Sequence, residues 1–272
     1  MSPLPYNAKR KKITFNPESN AAHRLSRSKV DLFFECPRCF YLNEILGIGR
    51  PSMPPFTLNV AVDHLLKKEF DVHRTEGTAH PLMKEYGIDA VPFNDQKIEE
   101  WRNNFKGVTR FHKETNLTFF GAVDDVWVNP KGELIVVDYK ATSKAGKIDL
   151  SGGWGPQYKR QIEFYQWLLR GNDYRVSNTG YFVYANGIKD RAVFDKKLEF
   201  EVEIISHTGD DSWIEKTVTD VKSCLLQKML PEAGELCEHC SYRESAGKAI
   251  RGLYGQKIDE KKDDDTKSGR LF

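Results

Sequence analysis

The chain has 272 residues, 39% of them hydrophobic and 12% aromatic, and a formal net charge of +2. There is enough apolar material for a packed core, but the near-neutral balance excludes a whole-molecule basic field, so any nucleic-acid contact must come from local patches. No apolar run approaches a bilayer-spanning length, no signal-peptide core opens the chain, and four of five cysteines stand in two C-x-x-C pairs, which together predict an intracellular, cytoplasmic protein with no membrane contact and with thiolates for metal rather than disulfides.

Residues 1–29 are polar and basic, with Lys9-Arg10-Lys11-Lys12 followed by Arg24, Arg27 and Lys29. They read as a flexible arm, either merely solvated or phosphate-contacting. Ser28 or Asp31 is placed to cap a helix through Leu32, Phe33 and Cys36 that breaks at Pro37. Pro51, Pro54 and Pro55 mark a loop, and an amphipathic helix is predicted from about Leu58 to Arg74. On its wheel Leu58, Val62, Leu65, Leu66, Phe70 and His73 share one face. His64 lies opposite them, while Asp63 sits at the edge of the apolar side. Residues 75–117, punctuated by Gly77, Pro81, Gly87 and Pro92, with a short helical pattern around 96–105, read as an insertion capping a catalytic face.

Phe119–Val128 and Glu133–Tyr139 are β-rich apolar runs around Asn129-Pro130-Lys131-Gly132, the signature of a β-hairpin. Side chains two apart on a strand share a face, so Asp138 and Lys140 point the same way. An odd loop, or a bulge at Gly132, would also set Asp124 opposite Asp138. The bland alternative is a strand that ends in polar residues. Yet each acid interrupts an apolar run, and burying an unpaired carboxylate costs several kcal/mol. Paired carboxylates on neighbouring strands form a hard-oxygen site for Mg²⁺ or Mn²⁺, to which the Tyr139 carbonyl could add. Lys140 beside them supplies a cation to orient water or stabilise charge on phosphate.

Lys144–Gly155 is a Gly- and Lys-rich loop, either plain surface or able to approach a phosphate backbone. A helix follows over Pro156–Arg170, with Ile162, Tyr165, Leu168 and Leu169 as its buried stripe and Gln161 stacked on Tyr165 four residues away. Thr179–Asn186 and Lys197–Ser206 are predicted strands, the second alternating as Leu198, Phe200, Val202, Ile204. Asp210–Met229 is a predicted helix with Trp213, Ile214, Val218, Val221 and Leu225 inward and Cys224 as inert packing. Residues 246–272 form a charged tail predicted to be disordered. It closes on Leu271-Phe272, either unimportant or a docking peptide for the groove of a protein partner.

Gly121-x-x-Asp124, Asp138-x-Lys140 and Gln161-x-x-x-Tyr165, in this order, resemble the PD-(D/E)XK nuclease superfamily. The last motif resembles its RecB-like branch, which includes RecB-type nuclease domains and the CRISPR-associated adaptation exonucleases. The resemblance runs from about Val30 to Tyr242. It implies a single α/β domain over residues 30–245, with a central mixed sheet flanked by helices. It also implies divalent-metal-dependent, exonuclease-like hydrolysis of phosphodiester bonds in DNA, single-stranded or at duplex ends, as in DNA repair. Asp124 and Asp138 would hold the metal, Lys140 would act on the water, and Gln161 and Tyr165 would contact the strand. The family often carries a metal-binding histidine four residues after a glycine on its first long helix. Here Asn59 takes the glycine position and Asp63 the histidine position, with His64 one residue away as the alternative. Asp138 stands where Glu is commoner. Iron–sulfur members hold their cluster with one N-terminal and three C-terminal cysteines. Cys36, Cys39, Cys237 and Cys240 form a 2+2 set instead, for which the resemblance favours a [4Fe–4S] cluster, with Zn²⁺, suggested by the paired C-x-x-C knuckles, as the alternative. These departures leave two rivals: a binding module that has lost catalysis, and a nuclease acting on RNA.

Overall fold

A computed structural model describes residues 14–52 and 56–267, with side chains up to residue 253. Lys9–Lys12, Pro54, Pro55 and the closing Leu271-Phe272 lie outside the described residues. The chain divides into two compact units, one formed by Asn16–Asp31 and Ser52–Ser223, the other built on Leu32–Pro51 and the chain from Cys224 onward. No helix among the described residues is long and apolar enough to cross a membrane.

The first unit contains two sheets. The larger has the order β2 (Val91–Pro92), β5 (Asp125–Val128), β6 (Leu134–Thr142), β7 (Thr179–Gly187), β8 (Phe200–Thr208). It is mixed, since β6 and β7 run parallel while the other neighbours are antiparallel. The smaller has the order β1 (His23–Ser26), β4 (Leu117–Gly121), β3 (Val108–His112), with β1 parallel to β4. Two long helices flank these sheets. α3 (Thr57–Glu76) packs on β6, and α6 (Gly155–Arg170) packs on β6, β3 and β4. Under α3 the core is Phe70 stacked on Trp127 at 5.5 Å with Met83, Ile135, Val137 and Val183 around them. Under α6 it is Phe119 against Phe164 and Trp167, with Ile162, Leu168 and Leu169 wholly buried. The remaining helices are α1 (Arg27–Glu35), α2 (Pro37–Glu44), α4 (Pro81–Glu85), α5 (Lys97–Trp101), α7 (Ser212–Leu226) and α8 (Glu238–Lys267).

Several expectations are corrected by these elements. The apolar run Phe119–Val128 is two strands, because β4 ends at Gly121 and β5 begins at Asp125 in the other sheet. The supposed basic arm is ordered from β1 onward: Arg24 lies on a strand paired with β4, and α1 starts at Arg27, ahead of both proposed caps. Asp31 is instead buried inside α1, ion-paired with Arg27 and, at 3.3 Å, with Arg160. The segment 75–117 is woven into both sheets through β2 and β3. On α3 the buried stripe is Leu66, Phe70 and Arg74, whereas Leu58 and Leu65 are 71% and 63% exposed. Arg74 is not on the predicted apolar face, but Asp71, Asp125 and the Phe93 carbonyl supply its guanidinium with partners inside. Charged residues beyond 246 continue α8 to Lys267. A lack of apolar residues argues against a core, not against a helix, and no proline interrupts this segment.

Candidate functional site

The ladder between β5 and β6 runs from Val128 opposite Leu134 to Asp125 opposite Val137. Its loop, residues 129–133, is odd in length and is closed by Asn129 Oδ1, which accepts from the Lys131 and Glu133 N–H groups at 3.0 Å. One step past the ladder, Asp124 therefore comes opposite Asp138. Its Oδ2 accepts from the Tyr139 N–H at 3.1 Å, fixing the carboxylate at the mouth of the strand pair. On β6 the Lys140 ammonium forms an ion pair with Asp138 Oδ2. Asp138 is wholly buried, and Lys140 is the charged partner of that oxygen.

Asp124 and Asp138 divide one proton unequally. Burial pushes the Asp138 carboxyl up, and with Asp124 alongside it reaches about 7 despite Lys140. Burial also works against the Asp124 carboxylate, but Lys67, Lys140 and the Tyr139 N–H outweigh it and hold that carboxyl below the ordinary range. For Lys140, burial works against the ammonium form, and the two aspartates more than restore it. Two acids whose environments push them apart are the pattern of a chemical site.

The other residues divide into those that join this cluster and those that do not. Asp63 on α3 reaches it through Lys67, whose Nζ lies 2.8 Å from Asp63 Oδ2 and 3.2 Å from Asp124 Oδ1. His64 is exposed. Gln161 Nε2 donates to Asp138 Oδ1 at 2.8 Å and lies 3.3 Å from the Tyr165 hydroxyl, so α6 reaches the acids through this glutamine. Tyr165 is 3% exposed. Its ring lies so close to Gly121 that a Cβ there would stand 2.5 Å from Tyr165 Cε1. This contact is the physical link between the first and last of the three sequence motifs. It holds the Tyr165 ring inside, while Gln161 stays partly exposed beside Asp138.

Sequence reasoning missed the supports. Lys67 stands four residues after Asp63, a spacing that could have flagged it. Asp125 is the less visible case, since nothing in Asp124-Asp125 says which acid faces the site. Asp125 is wholly buried and accepts from Arg74, from Arg102 at 3.1 Å and from the Tyr139 hydroxyl at 2.7 Å. Arg102 also donates to the Asp124 carbonyl at 3.0 Å and to both Asp71 oxygens. The network locks the backbone that carries Asp124.

In the second unit Cys36 caps α2, accepting from the Cys39 N–H, and Cys240 lies in the first turn of α8. With Cys39 and Cys237 they bring four Sγ atoms within 4.8 Å of one another. Three of the separations are 3.7 Å (Cys36–Cys240), 3.6 Å (Cys39–Cys237) and 3.6 Å (Cys39–Cys240). The Gly234 N–H reaches Cys36, Arg50 reaches Cys237 and Arg243 reaches Cys240, at 3.2, 3.6 and 3.3 Å. Such donors steady thiolates. Cys224 stands apart and buried.

A mixed sheet flanked by helices, with a buried acid, a half-buried acid and a lysine gathered where β5 and β6 part, defines an α/β protein of the restriction-endonuclease-like class. The profile of the PD-(D/E)XK nuclease superfamily matches residues 24–245, and the chain belongs to that superfamily of metal-dependent nucleases, phosphodiester hydrolases acting on nucleic acid. No curated protein matches the chain. Among solved structures, one titled "Crystal structure of SSO0001" is similar at 15% identity with a TM-score of 0.38, covering 78% of this chain and 80% of that one.

Proposed function

We propose that this chain is a divalent-metal-dependent nuclease of the RecB-like branch, hydrolysing phosphodiester bonds in DNA. The observation that carries the reading is the convergence of Asp124, Asp138 and Lys140 on one point, where Lys140 pairs with the wholly buried Asp138 and Asp124 stands opposite across the strand pair. An oxygen donor set of this kind suits Mg²⁺ or Mn²⁺, with Asp63 as a third acid. When bound, such an ion supplies Lewis-acid activation and charge neutralisation on the phosphate. The remaining work falls to the chain's own groups. Asp138 must release its proton to act as a ligand. Lys140, held by both aspartates, steers the attacking water and faces the charge that builds on phosphate. Gln161 keeps Asp138 oriented, which compensates for a side chain one methylene shorter than the commoner glutamate. Tyr165 positions Gln161 from behind.

The test is cleavage of end-labelled DNA with Mg²⁺ or Mn²⁺, with an RNA of the same sequence alongside. Lys140→Ala should lower the rate on the order of 10²–10³-fold while leaving affinity for the strand comparatively intact. A Lys140→Ala protein as fast as wild type refutes the assignment. Wild-type protein that binds DNA and never cleaves it supports the binding-module alternative.

For the cysteines, the fit with each expected group can be judged from the sulfur spacing. A tetrahedral ion with Zn–S bonds of about 2.3 Å has sulfurs about 3.8 Å apart, close to the separations found. A [4Fe–4S] cube with one thiolate on each iron needs them roughly 6 Å apart. The sulfur spacing favours a single zinc ion over the cluster expected from the family resemblance. We infer that zinc holds this unit together, a structural role with no part in the hydrolysis.

A further inference from the structure

Beside the acids lies a cavity of about 430 Å³ that opens on Lys140. Its walls carry Tyr184 from β7, paired in register with Lys140, and Tyr158 from α6, whose ring lies 4.5 Å from the Lys140 ammonium. Trp154, just ahead of α6, is also on its lining and is 61% exposed. The loop that closes this side passes through Gly152 and Gly153, where an added Cβ would meet nothing within 4 Å. Packing of the protein therefore leaves that stretch of backbone bare, open to close approach by a ligand. Lys144 stands on the lining too and, with Lys147 and Lys189, borders the adjoining cavity.

We propose that this cavity is a subsite for one unpaired nucleotide of the substrate, with the base stacked on Trp154 and the phosphates passing between Lys140 and Lys144. The proposal rests on the nuclease reading and narrows it to a single-stranded substrate or an unpaired end. The volume is within the range of small-ligand pockets and holds a nucleotide of roughly 300 Å³. An aromatic face takes any base, so stacking on Trp154 is tolerant of sequence; the one carboxylate among the described lining residues, Asp149, is engaged by the Ser151 N–H at 2.9 Å. A base inside a duplex keeps its faces covered by its neighbours and cannot enter.

The test uses the full chain in Ca²⁺ to slow turnover, with single-stranded oligonucleotides carrying 2-aminopurine at successive positions. Deoxy and ribo versions run in parallel, with a blunt duplex for comparison. Stacking should quench the probe at one position. Trp154→Ala should abolish that quench and weaken single-strand binding about 5- to 150-fold. Trp154→Phe should retain most of both, and Phe105→Ala, an exposed aromatic off this cavity, should change neither. The subsite is overturned if Trp154→Ala binds both single strands as wild type does, or if blunt duplex binds as tightly as single strand. A protein that stacks the probe through Trp154 but cleaves nothing in Mg²⁺ would keep the subsite and remove the nuclease reading. One that cleaves with Trp154 indifferent would do the reverse.

Discussion

Gly121→Ala tests whether the motif on β4 and the motif on α6 are joined physically. The new methyl would stand 2.5 Å from Tyr165 Cε1 and 3.2 Å from Cδ1. Carbon atoms rest at about 3.5–4.0 Å, so ring and strand must part by about 1 Å. The Tyr165 ring is buried and cannot swing into solvent. Overpacking of this size costs about 1–3 kcal/mol, which for a chain of this length lowers Tm by roughly 2–10 °C. The displacement passes to Gln161, 3.3 Å from the Tyr165 hydroxyl, and so to Asp138. A shift of about 1 Å in a reacting group can cost about 10²-fold in rate. Thermal melts and single-turnover cleavage measure the two effects separately. Tyr165→Leu in the same background makes room for the methyl, so the double variant should be less unstable than the two single losses added together. A Gly121→Ala protein that melts within about 1 °C of wild type and cleaves at full rate would show that the close contact constrains nothing.

Asp138 keeps its proton up to about 7, whereas an aspartate in the unfolded chain loses it near ~4. The folded metal-free protein thus binds a proton that the unfolded chain does not, and this group's contribution to stability falls as pH rises through that window, then levels off. Because a cation must displace the same proton, Mn²⁺ affinity should rise about tenfold per pH unit up to about 7 and flatten above it. Calorimetry in buffers of different ionisation enthalpy reads the released proton, and an affinity flat from about pH 5.5 to 8 would refute the shared-proton assignment. Asp125→Asn takes the charge partner from Arg74 and Arg102, both largely buried, and should cost about 3 kcal/mol or more in denaturant titrations. Cys237→Ser should release zinc and destabilise its unit, while Cys224→Ser leaves metal content unchanged; colourless protein with one zinc per chain is expected, and a brown, iron-containing protein would overturn the single-ion assignment.

The motifs were legible where local periodicity and chemistry coincide. Asp138 and Lys140 share a face because a strand alternates, and the odd loop at 129–133 brings Asp124 opposite. The stripe on α6 was readable because each of its apolar residues is buried. Reading failed where long-range partners change what polarity means. Arg74 and Asp125 are charged yet interior because each satisfies the other, and no single-sequence pattern shows two such residues meeting across 51 positions. The switch of sheet between Gly121 and Asp125 was hidden for a related reason: both halves of Phe119–Val128 are apolar, and only the partner strands differ. Leu58 and Leu65 misled in the opposite direction, being apolar and exposed.

The sulfur cluster also sets an order of events for a chain emerging from the ribosome. Cys39 and Cys237 are 198 positions apart, and everything between Ser52 and Ser223 belongs to the other unit. Closing so long a loop costs about 5 kcal/mol of chain entropy. The nuclease-type unit can condense while the chain is still growing, but two thiols alone make no tetrahedral site. If zinc is the occupant, its capture must wait for Cys237 and Cys240, so a chain cut short before Cys240 should carry none at this site.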